Sequence, residues 1–223
     1  MEKNGRNGFV TIEKAAQGTP FFEAYGLLLA SILLGYDGKP PSVVAVTAAR
    51  AGDGVSTTVV NLAMMMARTN RPTLLIDANM REPALHRAFG LAQKPGLAEL
   101  LVGKADRKAV TLSTRVPHLS LIPAGEAPLP AQVLASQPGL GELIGVLRGH
   151  YDLIVIDTPP VLQYPDALHI AKTVDGVLQV VSAGRAVRRE QQESRQLLER
   201  VGARLLGTVM NQVAFRGKAL VQG

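Results

Sequence analysis

Residues 45–63 read AVTAARAGDGVSTTVVNLA, and the reading of this stretch decides the fold. The apolar run at 43–48 has the length of a buried strand. Gly52 and Gly54 then interrupt it, and Ser56 and Thr57 open an apolar run that reads as a helix over 56–69, ended by Asn70, Arg71 and Pro72. Glycines between a strand and a helix let the backbone turn tightly and bring its N–H groups close to an oxyanion. The helix start adds partial positive charge. In the phosphate-binding loop G-x-x-x-x-G-K-[ST] a lysine stands between the last glycine and the hydroxyl, and here Val55 holds that place. Taken alone, the stretch is read equally well as a plain glycine turn.

The rest of the chain supplies a setting for that loop. Further apolar runs at 73–78, 119–125, 151–160, 175–184 and 204–211 read as strands. Helical spacing appears at 20–35, 138–149 and 186–201, with shorter helical pieces near 83–89 and 97–102. Strands alternating with helices predict an α/β fold, a mostly parallel sheet with helices on both faces. Such sheets bind ligands at the carboxyl ends of their strands. The unusual residues gather there: the loop 49–56, Asp77, Asp157 and Asn211. A carboxylate ending a buried strand costs desolvation unless it is paired or lies beside a metal. Asp77 and Asp157 opposite a phosphate-type loop therefore suggest a Mg²⁺ and water site, with the Ser56 hydroxyl as a third ligand. The alternative is that each carboxylate accepts backbone hydrogen bonds in its own turn.

The whole chain bounds these readings. Its 223 residues suffice for one large domain over 19–215, with a loose arm over 1–18 and a short tail over 216–223. There is no cysteine, which excludes disulfides and thiolate metal sites and fits a reducing cytoplasm. The longest apolar stretch near the N-terminus, 27–34, is too short to span a bilayer, and the first eighteen residues lack the apolar core of a signal peptide. Net charge is +6, and arginines concentrate late, at 185, 188, 189, 195, 200, 204 and 216. A basic face meets anionic lipid, nucleic acid or an acidic partner, or is simply a solvated helix face. Sparse aromatics, not interleaved with the basic residues, argue against nucleic acid.

Several segments together carry a family resemblance over roughly residues 19–213. LLIDANMREPALHRAFGL resembles a second Walker segment of the form D-x-D-x-R, and YDLIVIDTPPVLQYPDALHIAKTVDGVLQVV resembles a Walker B region. GLAELLVGKAD, LSLIPAGEAPLPAQVLAS and LLGTVMNQV resemble the intervening and last segments. The chain is similar to the bacterial tyrosine kinases of capsule and exopolysaccharide assembly, relatives of the deviant-Walker partition and division-site ATPases. The resemblance implies a three-layer P-loop NTPase-like fold and a site for ATP or ADP with Mg²⁺. That site would use Arg50, Gly52, Asp53, Gly54, Val55, Ser56 and Thr57, with Asn211 toward the adenine. Asp77, Arg81 and Asp157 would be the catalytic set, and Ser56, Asp77 and Asp157 the metal ligands. It also implies a cytoplasmic protein brought to the membrane by a partner, a polysaccharide co-polymerase or chain-length protein.

The chain departs from that pattern where chemistry is most demanding. Val55 replaces the lysine, and Asn79 the second acid of D-x-D-x-R. The ring-assembly motif E-x-x-R-x-x-R reads Glu23, Gly26 and Leu29, which makes a family-type ring less favoured and leaves a homodimer open. No tyrosine follows Asn211, so the autophosphorylated C-terminal cluster is missing. A charge-assisted hydrogen bond is worth roughly 1.5–3 kcal/mol, so losing the lysine predicts weaker binding, and more so weaker phosphoryl transfer. Three readings follow: a pseudokinase scaffold, a working kinase or ATPase in which Arg50 or a partner residue replaces the lysine, and a partition-type positioning ATPase. Arg50 could clamp phosphate with its guanidinium fork, or be neutralised by Asp53.

Overall fold

The computed structural model describes residues 9–35, 39–126 and 129–213. Helix α1 (Pro20–Leu34) starts at Thr19, whose hydroxyl accepts the Phe22 N–H at 3.3 Å. A proline at its first turn gives up a donor that would have no partner there. Strand β1 (Val43–Ala48) runs into α2 (Val55–Ala67), which returns to β2 (Thr73–Asp77). Three short helices follow, α3 (Leu85–Phe89), α4 (Leu97–Leu101) and α5 (Arg107–Val110), then β3 (Leu112–Ser113) and β4 (Leu119–Ile122). Helices α6 (Ala131–Ala135) and α7 (Pro138–Leu147) lead to β5 (Leu153–Asp157). The chain then alternates through α8 (Asp166–Ala171), β6 (Gly176–Ser182), α9 (Arg188–Arg200) and β7 (Leu205–Asn211).

The strands form one seven-stranded sheet in the order β3-β4-β2-β5-β1-β6-β7. Every pairing is parallel except β3 with β4. Because side chains alternate along a strand, each apolar strand feeds two cores. Val44, Val46, Leu75, Leu121 and Val155 pack with α1, α2 and α3 on one face. Val43, Ala45, Leu74, Ile76, Ile154 and Ile156 pack with α4, α7 and α8 on the other. Full burial of such side chains stabilises by roughly 1.5–3 kcal/mol each. The three-layer architecture is the one the strand-helix alternation predicts.

Asp175, just before β6, ties the start of the central strands together. Its carboxylate accepts the N–H groups of Ser42 and Val43 at 2.8 and 2.9 Å and the Arg148 guanidinium at 2.7 Å. Burial pushes its pKa up, but the Arg148 and backbone hydrogen bonds more than reverse this and hold it at about 2.

Two expectations are corrected, and several short elements lie outside what the sequence suggested. The two-residue antiparallel edge β3 was not foreseen. The run at 151–160 stops being a strand at Asp157, so its threonine and prolines form the loop beyond. The segment expected as a loose arm over 1–18 is docked over its described part. Ile12 is fully buried, its N–H donates to Asn61 Oδ1 at 2.7 Å, and Asn61 Nδ2 donates to the Val10 carbonyl at 2.9 Å. Residues 1–8 and the tail at 216–223 lie outside the described residues.

Candidate functional site

The site sits at the carboxyl ends of β1, β2, β5 and β7. Strand β1 delivers the chain to residue 48, and the turn to α2 passes through Gly52 at φ +86° and Gly54 at φ +92°. Both values lie in the left-handed region that glycine enters without steric cost. Gly54 caps α2 without a side-chain hydrogen bond. The first helical bond is Thr58 N–H to the Gly54 carbonyl at 3.0 Å. Among the described residues, the N–H groups of residues 51–57 donate no hydrogen bond. A run of unpartnered donors at a helix start is an anion cradle.

The loop is held from its carbonyl side. Asn211 Nδ2 donates to the Asp53 carbonyl at 2.9 Å, and Gln212 Nε2 to the Gly52 carbonyl at 3.2 Å. Asn211, expected near the adenine, is thus placed as a brace of the loop. A Cβ on Gly54 would stand 2.0 Å from the Asn211 Nδ2, so a second constraint keeps residue 54 a glycine. Val55 is half-buried and packs against the core beneath α2. Thr57 turns its carbonyl to Asn61 Nδ2 at 2.9 Å.

The two strand-end carboxylates come together. Asp77 and Asp157 are register partners on the neighbouring strands β2 and β5, and both are fully buried. Asp77 Oδ2 accepts the N–H groups of Ala84 and Leu85, each at 3.0 Å, while its Oδ1 has no partner. Neither oxygen of Asp157 has one. Burial pushes Asp77 up to about 6, against the pull of those backbone N–H groups. Burial, together with the neighbouring charge of Asp77, drives Asp157 well above the usual carboxylate range. The Ser56 hydroxyl lies beside Asp157 and pulls the other way.

Orphaned buried carboxylate oxygens are costly unless something else satisfies them. Oxygen donors from Asp77, Asp157 and Ser56 suit a small hard cation such as Mg²⁺, which keeps several waters or phosphate oxygens in its shell. Among the described residues no group of three or more His, Cys, Asp or Glu side chains gathers, so a dedicated all-protein metal cage is not present there.

Other expected site residues are engaged elsewhere. The Arg81 guanidinium donates from Nε to Asp166 Oδ2 at 2.7 Å, and from Nη2 to Asp166 Oδ1 at 3.2 Å and Gln132 Oε1 at 2.7 Å. It also lies over the Tyr164 ring, 4.1 Å from the centroid. Asn79 Oδ1 accepts the Glu82 N–H at 3.2 Å and closes a local turn. Arg50 neither pairs with Asp53 nor turns free over the loop; its guanidinium forms an ion pair with Glu190 at 2.5 Å. That pair borders a surface cavity of about 470 Å³, lined also by Leu162, Gln163 and Val187. Asp53 is buried, and burial raises its pKa against the field of Arg185. Asp166, Gln132, Tyr164 and Arg185 went unrecognised in the sequence, because each meets its partner only across a long chain separation.

Comparison with known proteins places this geometry. The model of the AAA domain family matches residues 41–182. The tyrosine-protein kinase CpsD of Streptococcus agalactiae serotype Ia is 33% identical over 180 residues, covering 80% of this chain and 78% of its own. The tyrosine-protein kinase YwqD of Bacillus subtilis is 34% identical over 169 residues, covering 75% and 71%. Among solved structures, the kinase domain of Escherichia coli tyrosine kinase ETK matches with TM-score 0.88 and 26% identity, over 98% of this chain and 84% of that one. The chimerical protein CapA2B2 matches with TM-score 0.85 and 29% identity, over 91% and 89%. The septum site-determining protein MinD of Pyrococcus horikoshii, solved with Mg-ADP, shares the fold at TM-score 0.66 and 21% identity, over 75% and 69%.

Proposed function

Since this chain belongs to the AAA domain family and to the bacterial tyrosine kinases, we propose that it is a pseudokinase or regulatory scaffold. It retains a nucleotide-diphosphate site with little or no turnover. The single observation that carries this reading is the contrast at the loop. Among the described residues the N–H groups of 51–57 donate no hydrogen bond, while half-buried Val55 packs against the core where a cation is needed. The cradle for a phosphate is kept, and the lysine that would assist its transfer is absent from position 55. We assign the setting by family: exopolysaccharide or capsule biosynthesis and export, in the cytoplasm, alongside a membrane co-polymerase or chain-length partner. Among the described residues no helix is long and apolar enough to cross a membrane.

The residues divide the work as follows. The loop N–H groups and the α2 start bind phosphate oxygens. Asp77, Asp157 and Ser56 would hold Mg²⁺, which when bound neutralises phosphate charge. Asp77, fixed through Oδ2 by the Ala84 and Leu85 N–H groups, keeps its buried Oδ1 without a partner among the described residues. Arg81, gripped by Asp166, orders the surrounding loops. Phosphoryl transfer depends on cations placed where charge develops, and valine supplies none.

A working kinase or ATPase is the second reading, with a residue from elsewhere in place of the lysine. The Arg50–Glu190 pair disfavours Arg50 for that role. Calorimetry with Mg-ADP and Mg-ATP, alongside ATP turnover and phosphotyrosine immunoblotting of the purified chain, separates the two. Binding without turnover or phosphotyrosine supports the scaffold; either activity sinks it.

A further inference from the structure

We propose that Arg185 is the phosphate-facing cation of the loop, taking over the charge that Val55 does not provide. The inference rests on the nucleotide-site reading above and goes past it by naming the residue and its ligand, the diphosphate of a nucleotide.

Arg185 comes from the turn after β6. Its N–H donates to the Ser182 carbonyl at 3.2 Å, and the Ala183 N–H donates to the Asn211 carbonyl at 2.9 Å, which fastens this turn to the end of β7. Asn211 in turn holds the Asp53 carbonyl. The same residue thus fixes the loop and the turn that carries Arg185 relative to each other.

The guanidinium is laid against the loop itself. A Cβ built on Gly52 would stand 2.9 Å from Arg185 Nη1 and 3.6 Å from Nη2. The guanidinium therefore lies against the open face of Gly52, whose own conformation at φ +86° is what asks for a glycine. The buried Asp53 carboxyl feels Arg185 as its strongest neighbouring charge.

Arg185 is also uncommitted. Arg50, Arg81, Arg115, Arg148 and Arg195 are each held by a carboxylate within 2.7 Å. Arg185 is exposed and makes no ion pair or hydrogen bond through its side chain with any described residue. The loop beside it presents unpartnered N–H donors, and the buried Asp157 oxygens beyond lack partners as well. An arginine fork can hold two oxygens of a diphosphate at once.

The test is calorimetric titration of the full chain with Mg-ADP, for the natural protein and for Arg185→Ala, Arg185→Lys, Arg50→Ala, Val55→Lys and the Val55→Lys/Arg185→Ala pair. Circular dichroism melts check that each variant folds. Arg185→Ala should weaken Mg-ADP binding by about tenfold or more. Arg185→Lys should recover part of that loss, and Arg50→Ala should change Kd less than about twofold. In the Val55→Lys background the Arg185→Ala effect should shrink, because two cations then share one task. If the natural chain binds and Arg185→Ala binds equally well, Arg185 is not the cation and the nucleotide site stands. The same holds if only Val55→Lys binds, and does so indifferently to Arg185. If neither the natural chain nor Val55→Lys binds, the nucleotide reading falls together with the proposal.

Discussion

Asp77 and Asp157 are register partners at the ends of β2 and β5, two fully buried carboxylates side by side with three oxygens unpartnered between them. Nothing in the fold requires both to be charged, and burial opposes it. A carboxyl whose pKa in the folded state is raised binds its proton more tightly there than in the unfolded chain. Its contribution to stability is therefore fully present below about pH 4, the ordinary carboxylate value, and is lost as pH rises through the raised value, about 6 for Asp77. In EDTA the melting temperature should fall by several degrees between pH 4 and pH 7. Millimolar Mg²⁺ should restore it at pH 7–8. Asp157→Asn should flatten the pH slope and abolish the Mg²⁺ effect. A pH-independent melt in EDTA would show that the pair does not carry this cost.

The Arg81 network predicts a structural phenotype. Asp166 is almost wholly buried, at 2% side-chain exposure, and Arg81 is its ion-pair partner. Removing one member of a buried pair leaves the other charged and unsatisfied, at a cost of roughly 3–5 kcal/mol, less where the partner is partly exposed as Arg81 is. Arg81→Ala should lower the melting temperature by roughly 5–10 °C. Arg81→Lys should rescue little, since lysine cannot reproduce the two-point contact with Asp166 or the stacking on Tyr164. A melt unchanged in both variants would return Arg81 to the free, ligand-facing role that D-x-D-x-R suggests.

Gly54→Ala gives a separate test of the loop. It would place a Cβ at φ +92° and 2.0 Å from Asn211 Nδ2. The variant must lose the Asn211 bond to the Asp53 carbonyl or distort the turn, costing on the order of 1–3 kcal/mol. Hydrogen exchange should speed up at residues 51–57 while the core strands keep their protection. Equal exchange in variant and natural chain would mean the loop does not depend on that bond.

Much of this arrangement is written locally. The runs VVAVTA, TLLID and LIVID are apolar enough to be buried on both faces; the last two end in an acid, and the first leads into the glycine turn at 52–54. The loop and both carboxylates could therefore be found one at a time. What could not be found is who holds whom. Asn211 meets Asp53 across 158 residues and Arg81 meets Asp166 across 85, and no spacing rule spans such gaps. Arg50 looked like a clamp because it lies in the loop; a glutamate on α9 takes it instead. Strand β3 has two residues, one half-buried and one exposed, too short to show any alternation. Ile12 sits in a polar segment whose composition hides a single buried anchor.

The Val55→Lys variant separates binding from catalysis. Val55 is only partly buried, so a lysine can leave its stem on the core beneath α2 and extend its ammonium toward the loop. The stability cost should be about 1 kcal/mol or less. An added charge-assisted hydrogen bond to phosphate, worth roughly 1.5–3 kcal/mol, should tighten Mg-ADP binding by about ten- to a hundredfold. Turnover should recover far less. Asn79 still closes its turn with Glu82 and supplies no second carboxylate. Tighter binding with turnover still near background is the expected pattern, read by calorimetry and a phosphate-release assay. Turnover restored to the level of an active kinase by this one change would mean the valine alone disarms the site, and that the remaining geometry is fully competent.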